Sequence, residues 1–208
     1  MPEQPNISKG EGLVRTYDLF EHLIADVDKA FETLETDKTS PYLRRCVART
    51  VFAFIEGVIQ IAKWEINSSI RLSKSSVRLS DKEKEILHEQ KKRNGEIFKI
   101  LVPIDENLKK TFRLAAKVWG LKNYSLNIAG KEYKYFLSAK KARNRLTHPR
   151  TYYDITVTDF DMHCYASSFI WVKTEFHSMM NKRIEVLAQE LPVELQQQLL
   201  NLREQKPK

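Results

Sequence analysis

Apolar residues recur at three- and four-residue steps along most of the chain, the period of helices that bury one face. Leu13, Tyr17, Phe20, Leu23/Ile24, Val27, Ala30/Phe31 and Leu34 mark a first long helix. Thr39-Ser40-Pro41 reads as a stop and a fresh start, with Ser40 as cap and Pro41 at the first helical position, where a missing N–H is harmless. A second helix then runs to about residue 70 on Val47, Val51, Phe54/Ile55, Val58, Ile61/Ala62 and Ile66. Residues 71–78, rich in Ser and basic side chains, predict a loop. Ser80 followed by Glu83 is a capping box that opens a short third helix, broken at Asn94-Gly95.

The pattern continues with a fourth helix over 105–119, closed by Gly120. Residues 121–130 connect it to a fifth, 131–147, which ends before Pro149. Residues 151–157 are β-prone but short, so an extended loop is expected there. Thr158-Asp159 caps a last long helix to about residue 189, carrying Phe160, His163/Cys164, Ser167, Ile170/Trp171, Thr174 and Met179. Leu191-Pro192 stops it, and a polar tail, 191–208, follows. The expectation is an all-α bundle of five to six helices in one domain, residues 1–190.

Composition narrows this picture. A length of 208 residues suffices for one well-cored domain, and 6 Gly and 7 Pro argue against long loops and closely turned β structure. Cys46 and Cys164 have no partner at metal-ligand spacing and are too few for a disulfide framework, which fits a reducing cytoplasm. The first apolar residues are broken by Glu3, Lys9, Glu11, Arg15 and Asp18, against a secretory signal. The longest apolar run, 51–62, is interrupted by Glu56, Gly57 and Gln60, so no membrane span and a cytoplasmic protein are expected.

Charge changes the picture more. Between residues 91 and 150 stand 16 Lys and Arg against 4 Asp and Glu, a balance of +12 against +8 for the whole chain. The remaining residues therefore carry −4. A basic middle between more acidic flanks suits a polyanionic partner such as RNA. Surface helices that carry many lysines are the plainer reading of the same excess.

The fifth helix concentrates the candidate chemistry. Its end reads Arg143-Asn144-Arg145-Leu146-Thr147-His148-Pro149. Pro149 disfavours helical geometry at His148, which places the imidazole at the helix end. Asn144, four residues earlier, shares the face of His148 and offers an amide to aim one ring nitrogen. Arg143 adds a permanent cation. A cation, an imidazole and an orienting amide form a candidate site for breaking a phosphodiester bond.

The run Arg143-Asn144 followed by His148-Pro149, late in an all-helical chain, resembles the R-x4-6-H signature of HEPN domains. In that family two protomers pair so that two such motifs face one composite cleft, and many members are metal-independent endoribonucleases, often toxins or antiviral defence effectors. The resemblance covers about residues 13–190. It implies a homodimer without cofactor or metal, RNA as substrate, and an antitoxin or other regulatory protein as a further partner. It also implies attack of a ribose 2′-hydroxyl on the adjacent phosphate, with His148 as general base or acid. Arg143 and its counterpart in the second protomer would stabilise the developing charge, and Asn144 would hold His148 or a phosphate oxygen. DNA, lacking the 2′-hydroxyl, should not be cut.

Other residues carry two readings. Glu56 shares a stripe with Arg45, Arg49, Gln60, Lys63 and Asn67 that suits a solvated face, or it lines the cleft and pairs with Arg143. Lys140, Lys141, Arg145 and Arg150 flank the motif and fit RNA phosphates or a solvated surface. Tyr152 and Tyr153 fit base stacking or packing equally. Arg15 and His22 also match the six-residue spacing, but they lack the Asn and the Pro and read as accidental. Some toxins of the family carry a tyrosine two residues after the histidine as a site of inactivating nucleotide transfer; here that place is Arg150. His163 and His177 have no acidic or thiolate neighbours at ligand spacing and read as core or surface residues. The alternative to a nuclease is a catalytically silent helical module that binds RNA or a protein partner through the basic face.

Overall fold

Six α-helices and one short hairpin follow in chain order in the computed structural model, which describes residues 9–72, 77–93 and 96–189. They are α1 (Lys9–Glu35), α2 (Pro41–Leu72), α3 (Asp81–His88), β1 (Gln90–Arg93), β2 (Glu96–Lys99), α4 (Ile104–Val118), α5 (Lys131–Thr147) and α6 (Asp159–Gln189). The chain is an all-α bundle.

The helix ends follow from local chemistry. Asp37 accepts the N–H groups of Thr39 and Ser40 at 3.1 Å each, and Ser40 Oγ accepts the Leu43 N–H at 3.4 Å, which starts α2 at Pro41. Ser80 and Glu83 form the expected capping box of α3. After α4, Gly120 takes φ +67, while Leu121 N–H donates to Ala116 O at 2.9 Å and Gly120 N–H to Lys117 O at 3.4 Å. That pair of bonds satisfies carbonyls the helix leaves open. Thr158 Oγ1 accepts the Asp161 N–H at 3.1 Å and Asp161 returns an acceptor to Thr158 N–H at 3.0 Å, so α6 opens on a reciprocal cap.

α2 is the central helix, packed against α1, α4, α5 and α6. Val47, Val51, Ile55, Val58, Ala62 and Ile66 are fully buried along it and meet Phe20 from α1, Phe112 from α4, Phe136 from α5 and Phe176 from α6. Burying each such aromatic contributes roughly 1.5–3 kcal/mol. Phe20 and Phe176 stack obliquely with ring centroids 4.6 Å apart. Gly57 sits where α1 crosses closely: a Cβ there would stand 2.6 Å from Leu23 Cδ1.

Three local expectations need correction. The third helix stops at His88, because Glu89 turns into the left-handed region (φ 50) and the chain pairs as an antiparallel hairpin, with Gln90 opposite Lys99 and Arg93 opposite Glu96. Asn94-Gly95, read as a helix breaker, lies between the two strands and outside the described residues. The stretch expected to be extended instead holds one 3₁₀ turn, Tyr152–Ile155. Lys63, placed on a solvated stripe, is buried: its Nζ donates to Glu89 Oε1 at 2.6 Å, and Gln60 and Asn107 donate to the same oxygen at 3.1 Å. A second polar knot joins three helices, with Arg183 Nη1 on Glu65 Oε2 at 2.5 Å, Thr16 on the other Glu65 oxygen, and Arg183 Nη2 on Ser69 at 3.1 Å. α2 continues through residue 72 into the expected loop, whose residues 73–76 lie outside the described set, as does the polar tail. No described helix is long and apolar enough to cross a membrane.

Candidate functional site

α5 is held by a buried apolar face and three ion pairs. Phe136, Ala139 and Ala142 are buried at turn-length spacing, and Leu146 is partly buried behind them, so one side of α5 faces α2 and α6. Lys140 Nζ meets Asp105 of α4 at 2.6 Å, Arg145 Nη2 meets Asp161 of α6 at 3.0 Å, and Arg143 Nη2 meets Glu56 of α2 at 3.0 Å. Burial pushes the Asp105 carboxyl up, but Lys140 and the backbone N–H groups of Asp105 and Glu106 together outweigh it and hold Asp105 below the ordinary carboxylate range.

Arg143 lines a cleft of about 410 Å³ between α2 and α5. Ala48, Arg49, Phe52, Ala53 and Glu56 form one wall, and Arg143, Leu146 and Thr147 the other. The guanidinium stands 5.7 Å over the Phe52 ring. Glu56 therefore lines the cleft and pairs with Arg143, the second of the two readings its sequence allowed. The pair is half-exposed, with side chains 35% and 52% accessible. A pair so exposed is worth only about 0–1 kcal/mol, so an incoming phosphate can displace the carboxylate.

His148 caps α5 in a non-helical conformation (φ −131, ψ 62), its N–H donating to Asn144 O at 3.0 Å. That is the local geometry Pro149 imposes. The imidazole is exposed, does not line the cleft, and has no hydrogen-bond partner among the described residues. Asn144 does not orient it: the Asn144 Oδ1 instead accepts from Arg143 Nη1 at a long 3.5 Å. Arg143 lines the cleft while His148 does not, and no contact joins the two side chains among the described residues. Within one protomer the two side chains are not brought together.

Of the flanking cations, Lys140 and Arg145 are committed to α4 and α6, whereas Lys141 and Arg150 are exposed without a carboxylate partner among the described residues. Reasoning from sequence missed Asp154. Its carboxylate accepts the N–H groups of Arg150 at 2.9 Å and Thr151 at 2.8 Å, and these bonds hold it below the ordinary carboxylate range. The turn directly after His148-Pro149 is thereby pinned. The signal was present: Thr151-x-x-Asp154 has the spacing of a capping box. The accidental pair Arg15 and His22 is exposed on α1, where His22 Nδ1 donates to Asp18 O at 2.6 Å. His163 is exposed with its ring edge-on to Tyr135, and His177 packs against Phe20. Cys164 is buried, and burial raises its thiol; Cys46 is half-buried.

No family model matches the chain, and no curated protein or solved structure was found to match it either.

Proposed function

We propose that this chain is a metal-independent endoribonuclease of HEPN type that cuts RNA at a site shared by two copies. The observation that carries the reading is the placement of the motif. Arg143 is held in the lining of a cleft by a weak, displaceable carboxylate, and an exposed imidazole caps the same helix five residues on. Because only Arg143 of the two lines the cleft within one copy, His148 of one copy and Arg143 of a second act on the same phosphate. His148 takes the proton from the 2′-hydroxyl as that oxygen bonds to phosphorus, and the P–O5′ bond breaks. The products are a 2′,3′-cyclic phosphate and a 5′-hydroxyl, whose proton is returned through imidazolium or water. Arg143 stabilises the charge on the phosphorane oxygens, and Asn144 bonds the phosphate or the imidazole. The cytoplasmic role this reading carries is that of a toxin or defence effector restrained by a regulatory partner.

A second reading has its own observation. Without a partner to aim the imidazole, the same face serves a silent module that binds RNA or protein. The test is cleavage of mixed single-stranded and transfer RNA in EDTA by wild-type, Arg143→Ala and His148→Ala proteins of matched thermal stability. Cutting by wild type alone supports the nuclease. Equal cutting by His148→Ala, or RNA bound but never cut, sinks it.

A further inference from the structure

Between Glu132 and Asp154 the chain contains no acid and six permanent or near-permanent cations: Lys134, Lys140, Lys141, Arg143, Arg145 and Arg150. The fold divides them into two sets. Lys140, Arg143 and Arg145 are each matched by a carboxylate from a different helix, Asp105, Glu56 and Asp161. Lys134, Lys141 and Arg150 are exposed, and none has a carboxylate partner among the described residues. Packing accounts for the first set. Solubility is served by interspersed signs and does not call for three uncompensated cations along one stretch.

Their alignment points to a ligand. Lys134 and Lys141 are spaced by seven residues, two helical turns, so they share one bearing on the outer face of α5 about 10.5 Å apart, and His148 caps the same helix. Arg150 follows two residues beyond. Tyr152 and Tyr153 then stand 79% and 80% exposed, far too open to be packing residues. Their rings are 6.1 Å apart, edge to face, and both remain largely open to solvent. Asp154, the next acid along the chain, is occupied by the backbone N–H groups of Arg150 and Thr151. Cations at repeat spacing suit a phosphate chain, and open tyrosine faces suit bases that are not paired with a second strand. A duplex would offer the phosphates while keeping its bases stacked inside.

We infer that the outer face of α5 is a track for single-stranded RNA, with Lys134, Lys141 and Arg150 on its phosphates and Tyr152 and Tyr153 on its bases. The inference takes from the proposed nuclease only the destination of the strand, the exposed His148. Lys140 and Arg145 take no part in the track.

The experiment titrates full-length protein with a short fluorescent 2′-O-methyl RNA, which cannot be cut by 2′-hydroxyl attack, across a salt series. Lys134→Gln/Lys141→Gln/Arg150→Gln is compared with Lys82→Gln/Arg113→Gln/Lys122→Gln, which removes the same charge from exposed, unpaired positions elsewhere. Each lost single-strand phosphate contact lowers the slope of log affinity against log salt by about 0.7, so the α5 variant should lose about 2 and the control almost nothing. Tyr152→Ala/Tyr153→Ala should weaken binding about tenfold with an unchanged slope. Equal losses in both triple variants, tighter binding of a duplex of the same sequence, or no binding by wild type would overturn the track. An intact slope in the α5 variant beside His148-dependent cutting removes the track and leaves the nuclease; a track-dependent slope without cutting does the reverse.

Discussion

Lys140 and Lys141 are adjacent and chemically identical, yet the fold gives them different surroundings. The Lys140 ammonium is 2.6 Å from Asp105, and the two side chains are only 25% and 16% accessible. Removing it strands a mostly covered carboxylate, so Lys140→Ala should cost on the order of 1–3 kcal/mol at neutral pH. Lys141→Ala, on the open face, should stay within about 0.5 kcal/mol. The pH dependence has a definite sign. Asp105 titrates below its unfolded value, so its contribution is full above the ordinary carboxylate range and lost as pH falls through the folded value. Denaturant melts of both variants should therefore show a gap at pH 7 that closes in strong acid; a gap that persists there would refute the pair. None of this could be read from sequence, because Asp105 lies 35 positions from Lys140 and only the packing of α4 and α5 on α2 brings them together. The same holds for Lys63, whose place on a polar stripe hid its burial against Glu89. Arg143 and His148 were legible because a motif, a proline and a helix end are all local.

At the scale of elements, Asp161 does two things at once. It completes the cap of α6 with Thr158 and receives Arg145 from α5, so it fixes the angle at which the two helices meet beneath the candidate site. Loss of a cap costs about 0.5–2 kcal/mol, and here the loss also frees Arg145. Asp161→Ala should lower the melting temperature clearly more than Asp159→Ala. The Asp159 side chain is 90% accessible, and its partner Arg44 also donates to the carbonyls of Lys38 and Val157, which it keeps when Asp159 is removed. Equal effects of the two substitutions would remove the special role of Asp161. The helices were legible because their buried faces recur at the helical period and their caps sit beside them in sequence. The hairpin was not. Its second strand is exposed throughout, so no alternating pattern marks it, and the scarcity of Gly and Pro argued against β structure. Asn94-Gly95, a strong hairpin dipeptide, was weighed only as a helix breaker.

For the whole molecule, the question is whether one copy can be the catalytic unit. α2 gives its buried face to the four helices around it, and the buried Glu65–Arg183 knot locks α1, α2 and α6 together. Breaking such a buried pair costs about 3–5 kcal/mol, so the frame of α1, α2 and α6 on which α5 rests is firmly held. Two copies related by a two-fold axis can bring His148 of one to Arg143 of the other, since a symmetric interface places residue i against j and j against i. This arrangement makes a prediction that monomeric catalysis cannot match. Arg143→Ala and His148→Ala proteins should each be inactive alone. Mixed in equal amounts and allowed to exchange, they form about half heterodimers, each with one intact pair in two, and should recover about a quarter of wild-type cleavage. Recovery should fade on dilution as dimers dissociate. Inactivity of the mixture, in samples where heterodimers are verified by affinity tags, would show that each phosphate needs Arg143 and His148 from the same copy or both arginines at once, and would rule out the one-from-each arrangement.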